Sequence, residues 1–302
     1  MCSVSVVIPH HGDPLPTRAL LAQLAGQTWG GQLQIIVSDD ASAQPFQSPD
    51  GVEVEVVRRS VNGGFGRAVN SGVERAHGDL LLILNSDLVV SPDFVTAMTA
   101  AAHRFPDSVL SPRVVDDAGH PAWVGRDFPR VRHQAAEWLT PLARWRHTDR
   151  WHRAVGHDLS HRHGDASVDW VIGAALLLPT AAFRAVGGFD ERFYMNSEEV
   201  DLQRRLREHG IASIALASPT VIHAGGGSSP SERRRQWLVD SRMLYADKWG
   251  ARRSLRAALL LSTGVNLLVN AARRAAGRDV APLKTARAEM ALLFGRPRRR
   301  PR

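Results

Sequence analysis

Three short polar clusters stand at the ends of apolar, strand-like runs. Ser38-Asp39-Asp40 closes residues 33–37, Asn62-Gly63-Gly64 follows residues 52–57, and Asn85-Ser86-Asp87 closes residues 80–84. In an open parallel sheet, ligands gather beyond the carboxyl ends of the strands, so one rim can hold all three clusters. Carboxylates collected there suit a hard divalent cation, Mg2+ or Mn2+, which prefers oxygen ligands. Such a cation bridges the two phosphates of a nucleotide diphosphate and neutralises the charge of the leaving group. Further along, Glu198-Glu199 opens a helical run, and a helix N-terminus favours ionised carboxylates. Each cluster also has a purely structural reading. Asp39-Asp40 fits an Asx turn, and Glu198, Glu199 and Asp201 fit a helix start with Asp201 and Arg205 paired on its surface.

The elements that must position these residues alternate along the chain. Residues 4–8 form a β-rich run ended by Pro9, and residues 15–27 read as a helix. Residues 33–37 and 52–57 read as strands, residues 66–76 as a helix, residues 80–84 as a strand and residues 92–104 as a helix. The unbroken Leu80-Leu81-Leu82-Ile83-Leu84 is expected of a strand buried on both faces. This order predicts an α/β fold with a mostly parallel central sheet flanked by helices. Residues 115–168 are rich in Arg, His and Trp, with Pro121, Pro129 and Pro141 as breakers; they read as an insertion, either a lid over the site or a surface excursion. The α/β pattern resumes to about residue 230: an apolar run at 170–179, helices at 180–186 and 198–209, and short strands at 213–216 and 220–222. The remainder is expected to be helical to about residue 277.

Charge divides the chain. Residues 1–230 carry 20 Lys/Arg and 25 Asp/Glu, whereas residues 231–302 carry 18 and 5. The basic extension ends in Arg296-Pro297-Arg298-Arg299-Arg300-Pro301-Arg302, a solvated end expected to be disordered. It suits phosphate-rich partners, an anionic membrane surface or nucleic acid, and the acidic body disfavours nucleic acid. Residues 255–269 are apolar but interrupted by Arg256 and Asn266, and shorter than the roughly 20 residues a membrane span needs. They read either as a helix lying on a membrane surface or as one packed on the α/β body. Cys2 is the only cysteine, which suits a reducing cytoplasm. Nothing basic or long and apolar precedes the first strand, so no signal peptide is expected, and a cytoplasmic protein, peripheral at the inner face of the cell membrane, is anticipated.

Read in order, Val6-Val7-Ile8-Pro9, Ser38-Asp39-Asp40-Ala41-Ser42, Asn62-Gly63-Gly64-Phe65-Gly66-Arg67-Ala68-Val69-Asn70 and Asn85-Ser86-Asp87 resemble the inverting family 2 glycosyltransferases, which have the GT-A fold. The likeness is to their bacterial rhamnosyltransferase-like branch. Trp170-Val171-Ile172-Gly173-Ala174-Ala175, Gly187-Gly188-Phe189-Asp190-Glu191, Glu198-Glu199-Val200-Asp201-Leu202 and His223 with its glycines extend the resemblance over residues 3–229. It implies transfer of a sugar, with inversion, from a nucleotide diphosphate sugar such as dTDP-rhamnose or a UDP-sugar. The acceptor would be a hydroxyl on a glycan or lipid-linked molecule, as in cell wall polysaccharide biosynthesis. The half-match of Gly64-Phe65-Gly66 to a dinucleotide fingerprint fails, because Val69 stands where its third Gly or Ala belongs.

By that resemblance Asp39 contacts the nucleotide base, with Pro9 and Asp40 in the same pocket. Asn62, Gly64 and Asn70 shape the loop and helix beside the nucleotide, and Asn85 and Ser86 also contribute to binding the nucleotide sugar. Asp87 binds the metal with His223 as a further contact, and Trp170, Gly173 and Ala174 mark the acceptor region. An inverting transfer needs a carboxylate to take the acceptor hydroxyl's proton; Glu199 stands where the family places an Asp, and Glu198 is the alternative. Asn85 and Glu199 depart from the family's acidic pattern, which leaves a catalytically silent relative of the fold as an alternative; the basic tail separately suggests a polyanion-binding protein.

Overall fold

The computed structural model describes residues 2–223 and 231–294. The chain forms two compact units, Met1–Arg126 with Ser160–Ser228, and Asp127–Leu159 with Ser229–Arg299. In chain order the first unit supplies β1 (Ser3–His10), α1 (Pro14–Ala25), β2 (Gln32–Asp39), β3 (Glu55–Arg58), α2 (Phe65–Val73) and β4 (Leu80–Leu84). It continues with β5 (Leu88–Val89), α3 (Phe94–Arg104), β6 (Ser108–Val115) and β7 (Gly125–Arg126). The second unit contributes α4 (Val131–Trp138) and α5 (Asp149–Ala154). The first resumes with β8 (Ala166–Val168), β9 (Trp170–Val171), β10 (Ala175–Pro179), α6 (Thr180–Ala185), α7 (Glu198–Glu208) and β11 (Ala212–His223). Helices α8 (Ser231–Lys248), α9 (Arg252–Ala275) and α10 (Pro282–Phe294) belong to the second.

In the first unit the main sheet runs β3-β2-β1-β4-β10-β6-β11-β5, with β8 also on β11. Val6, Val7, Ile8, Ile36, Val37 and Leu81 to Leu84 are wholly buried, as a sheet covered on both faces requires. The sheet is parallel from β3 through β4, whereas β10 runs antiparallel to both β4 and β6. Parallel pairing returns at β6–β11, and β5 and β8 lie antiparallel on β11. The expected mostly parallel order therefore holds for the first half alone, and the second half is mixed. This reversal positions the site. An antiparallel β10 sets its start, Ala175, beside the end of β4, Leu84, so Gly173 and Ala174 fall on the same rim as Asn85. An antiparallel β5 likewise pairs Leu88 with His223, setting the end of β11 next to Asp87.

The second unit has its own core of Trp138, Val239, Met243, Ala246, Leu255, Leu259 and Leu293. Residues 127–159 are part of it, so the stretch 115–168 is not one insertion: its ends belong to the first unit and its middle to the second. The helical extension also continues beyond Gly277 in α10, begun by Pro282 at a position where the missing N–H costs nothing. The glycines at 225–227 and the arginine-rich end at 296–302 lie outside the described residues.

Candidate active site

Asp39 is fully buried at the end of β2. Its carboxylate accepts hydrogen bonds from the Ser42 amide at 2.8 Å and the Phe46 amide at 3.0 Å and pairs with Arg58. Burial alone would raise its pKa, but the hydrogen bonds from Ser42 and Phe46 and the charge of Arg58 outweigh it, and the group is held below its ordinary value. In this structure the Asp39 carboxylate acts as a clamp that holds residues 40–46 and Arg58. Asp40, also buried, accepts from the Gly63 amide at 2.9 Å, the Gly64 amide at 2.8 Å and Arg59 Nε at 2.9 Å. It fixes the glycine loop.

That loop carries Asn62, whose Oδ1 accepts from the Tyr194 hydroxyl at 2.9 Å and whose Nδ2 lies 3.2 Å from His11 Nε2. Gly64 has φ +87°, and a Cβ there would sit 1.9 Å from the Tyr194 carbonyl oxygen, so only glycine fits. Asn70 donates to the Phe189 carbonyl and accepts from the Phe189 amide, both at 2.9 Å, pinning α2 to the 187–194 segment. Pro9, half-buried, lies one residue before the end of β1 and pairs with Ser38. Arg58, Arg59, His11 and Tyr194 were given no role in the sequence reading. The two arginines were detectable in principle, because parallel pairing of β2 and β3 sets Arg58 opposite Asp39.

At the end of β4, Asn85, Ser86 and Asp87 are half-buried. The Asn85 amide donates to Ala174 O at 2.9 Å, and its Nδ2 lies 3.4 Å from His223 Nε2. His223 Nε2 is 3.1 Å from Asp87 Oδ1. Burial would raise the Asp87 pKa, but the hydrogen bond and charge of His223 lower it. The bond to Asp87 in turn raises His223, against the opposing effect of burial. Among the described residues no three His, Cys, Asp or Glu side chains gather as a metal cage. The donor set nevertheless fits a substrate-borne cation: Mg2+ typically takes one or two protein groups, with substrate phosphates and water completing its shell, and an ionised carboxylate beside a partly exposed imidazole offers that.

Glu198 and Glu199 begin α7 after two residues in the left-handed region, Asn196 (φ 71°) and Ser197 (φ 65°). This strained entry costs of order 1–3 kcal/mol per residue, and it swings the helix start inward. Glu198 lies against Gly66, and Glu199 packs on Gly173, where a Cβ would come within 3.3 Å of its own Cβ. Among the described residues neither Glu198 Oε2 nor Glu199 Oε2 has a hydrogen-bond partner. Burial first, then repulsion from Glu199, pushes Glu198 up to about 8. Burial raises Glu199 as well, opposed by the positive charge of Arg126. The helix start was expected to favour ionisation at both; desolvation overrides the dipole. Burial thus disfavours charge on both adjacent carboxyls, and the Arg126 guanidinium opposes this at Glu199. Trp170 stands opposite Arg126 in the β7–β9 pair, its ring 5.8 Å from the guanidinium.

A chain of direct contacts thus runs from His223 and Asp87 through Asn85 and Ala174 to Gly173 and Glu199. A second runs from Asp40 through Gly63, Gly64 and Tyr194 to Asn62 and His11. The family model described as glycosyl transferase family 2 matches residues 5–157. The chain belongs to glycosyl transferase family 2. It is 27% identical over 250 residues to the N-acetylglucosaminyl-diphospho-decaprenol L-rhamnosyltransferase of Mycobacterium tuberculosis, covering 74% of this chain and 78% of that enzyme. It is 29% identical over 266 residues to the validoxylamine A glucosyltransferase of Streptomyces hygroscopicus subsp. limoneus, covering 82% of this chain and 56% of that one. Among solved structures it resembles a mannosyltransferase from Pyrobaculum calidifontis in complex with GDP-Man and Mn2+. The TM-score is 0.54 at 17% identity, over 96% of this chain and 81% of that one. The fold is GT-A, and the protein is an enzyme of this family.

Proposed function

We propose that this glycosyltransferase moves a sugar, with inversion, from a nucleotide diphosphate sugar to a hydroxyl of a glycan or lipid-linked acceptor. The observation that carries this is the contact chain joining the Asp87–His223 pair to Glu199 through Asn85, Ala174 and Gly173. Asp87 and His223, with Asn85 alongside, would hold Mg2+ or Mn2+, and Ser86 borders the same turn. When bound, that cation neutralises charge building on the diphosphate. Asn62, His11 and Pro9 edge the nucleotide pocket, on a loop that Asp40 holds in place. The acceptor lies over Gly173 and Ala174, with Trp170 and Arg126 beside them.

In the chemical step the acceptor oxygen attacks the anomeric carbon as the bond from that carbon to the diphosphate breaks. Glu199 takes the hydroxyl proton, and the nucleoside diphosphate leaves with the bonding pair. Glu198 keeps its own proton, so a single negative charge is presented to the acceptor. Two relatives frame the substrates: one is a rhamnosyltransferase named for a lipid-diphosphate-linked N-acetylglucosamine, the other a glucosyltransferase acting on validoxylamine A. A deoxyhexosyl or hexosyl donor and a lipid-linked acceptor are the readings they support. Glu199→Gln tests the base: turnover is expected to fall by at least 100-fold, as loss of general-base catalysis typically does, with donor affinity nearly unchanged. Turnover like the parent's in this variant, with Glu198→Gln inactive, would move the base by one residue.

A further inference from the structure

The second unit buries polar side chains and exposes apolar ones. On α9 the inward face carries Leu255 and Leu259, then Ser262, Thr263, Asn266 and Asn270, all buried. Thr263 Oγ1 accepts from Trp138 Nε1 at 2.9 Å. Asn266 accepts from the Thr140 amide at 3.0 Å and donates to Trp138 O at 3.0 Å and Glu289 Oε1 at 3.1 Å. The opposite face presents Leu261, Val265 and Leu268, spaced i, i+4, i+7 on one stripe, with 74%, 46% and 72% of their surface exposed. Helix α10 repeats the inversion: Glu289 is 1% exposed, whereas Leu283, Met290 and Phe294 are 64%, 47% and 57% exposed. Scattered apolar residues on a surface need no explanation, but an exposed apolar stripe on each of two packed helices marks an interaction face.

The surrounding charge identifies the partner. Residues 252–294 carry eight Lys/Arg and two Asp/Glu, and one of those two acids is the buried Glu289. Exposed Arg252 and Arg253 precede the α9 stripe, exposed Arg273 and Arg274 follow it, and Lys284 and Arg287 lie exposed on α10. A second copy of this face would bring like charges together, whereas anionic headgroups complement it. Helix α9 has 24 residues, enough to cross a bilayer, but its polar face is hydrogen-bonded to Glu289 of the 13-residue α10, which is too short to cross with it. That arrangement suits helices lying in the interface, with their apolar face turned towards the acyl chains. We propose that the exposed α9–α10 face docks the enzyme on an anionic lipid bilayer, its six apolar side chains at the headgroup–acyl boundary and its arginines on lipid phosphates. This assignment is independent of the sugar-transfer reading.

Flotation of the full chain with phosphatidylcholine vesicles, with and without phosphatidylglycerol, tests it. The parent is expected to float with anionic vesicles, weakly with neutral ones, and to be released by an alkaline carbonate wash. Leu261→Glu with Leu268→Glu should lower partitioning roughly tenfold or more, and Arg253→Gln with Arg273→Gln should lower it about fivefold per residue on anionic vesicles only. Circular dichroism of each variant checks that these exposed positions leave the fold intact. No flotation on either vesicle, equal flotation of the parent and the Leu→Glu variant, or retention through the carbonate wash would each overturn the proposal. So would a dimer seen by sedimentation without vesicles that the Leu→Glu changes dissociate, which would assign the face to a second copy.

Discussion

Replacing Glu198 with Gln removes a carboxyl that folding drags from water into a site with no partner for its Oε2. The folded-state pKa is raised to about 8 from an ordinary 4.5, so the folded state binds this proton more tightly than the unfolded state does. The sign follows: the group costs little below its unfolded pKa, stability is lost as pH rises from about 4.5 to about 8, and the cost is constant above. Between pH 5.5 and pH 8 the penalty grows by about 3 kcal/mol, at 1.36 kcal/mol per unit of pKa shift. Glu198→Gln lacks this titration and also relieves Glu199 of a neighbouring charge. Urea unfolding at the two pH values should therefore show the variant gaining about 3 kcal/mol on the parent as pH rises, with equal m-values. Parallel pH dependence in the two proteins would refute the raised pKa assigned to Glu198.

Other consequences are equally direct. Gly64→Ala places a Cβ against the Tyr194 carbonyl at positive φ, so a loss of about 2 kcal/mol or more in thermal or urea unfolding is expected, together with weaker donor binding. Asp40→Asn leaves the Gly63 and Gly64 amides and Arg59 without their shared charge; by analogy with breaking a buried ion pair it should cost about 3 kcal/mol, and an unchanged unfolding midpoint would count against the clamp. His11→Ala should weaken nucleotide binding severalfold with little effect on stability, since the ring is exposed and touches Asn62; calorimetry of nucleotide binding checks it.

The ends of β2 and β4 were legible because apolar runs of strand length stop at polar residues, and β4 was bounded correctly at both ends. Strand β6 was missed because Pro112 interrupts it. In the fold that proline lies opposite the register shift in β11 between Ala215 and Thr220, where a strand tolerates a residue without an N–H. The same irregularity made β11 read as two short strands. Direction was not legible either: nothing local in residues 175–179 says that β10 runs antiparallel, yet this direction puts Gly173 beside Glu199. Asp201–Arg205 shows the same limit. The i,i+4 spacing suggested a surface pair, and the pair forms at 2.9 Å, but Asp201 is fully buried and Arg205 also donates to the carbonyls of Val186 and Gly188. Motif order was legible in the sequence, whereas the burial of Asp39 and Asp40 and the loop bonds they accept are set by the tertiary fold alone.

The pairing of Asp87 with His223 at the end of β4 underlies the proposed donor site. Calorimetric titration of UDP, dTDP and GDP into the parent and Asp87→Asn, each with and without Mn2+, examines it without needing the acceptor. At least one nucleotide is expected to bind the parent tightly only when Mn2+ is present, with the metal-dependent gain gone in Asp87→Asn. Binding that is indifferent to Mn2+ in the parent, or equally enhanced by Mn2+ in the variant, would contradict the donor site described here.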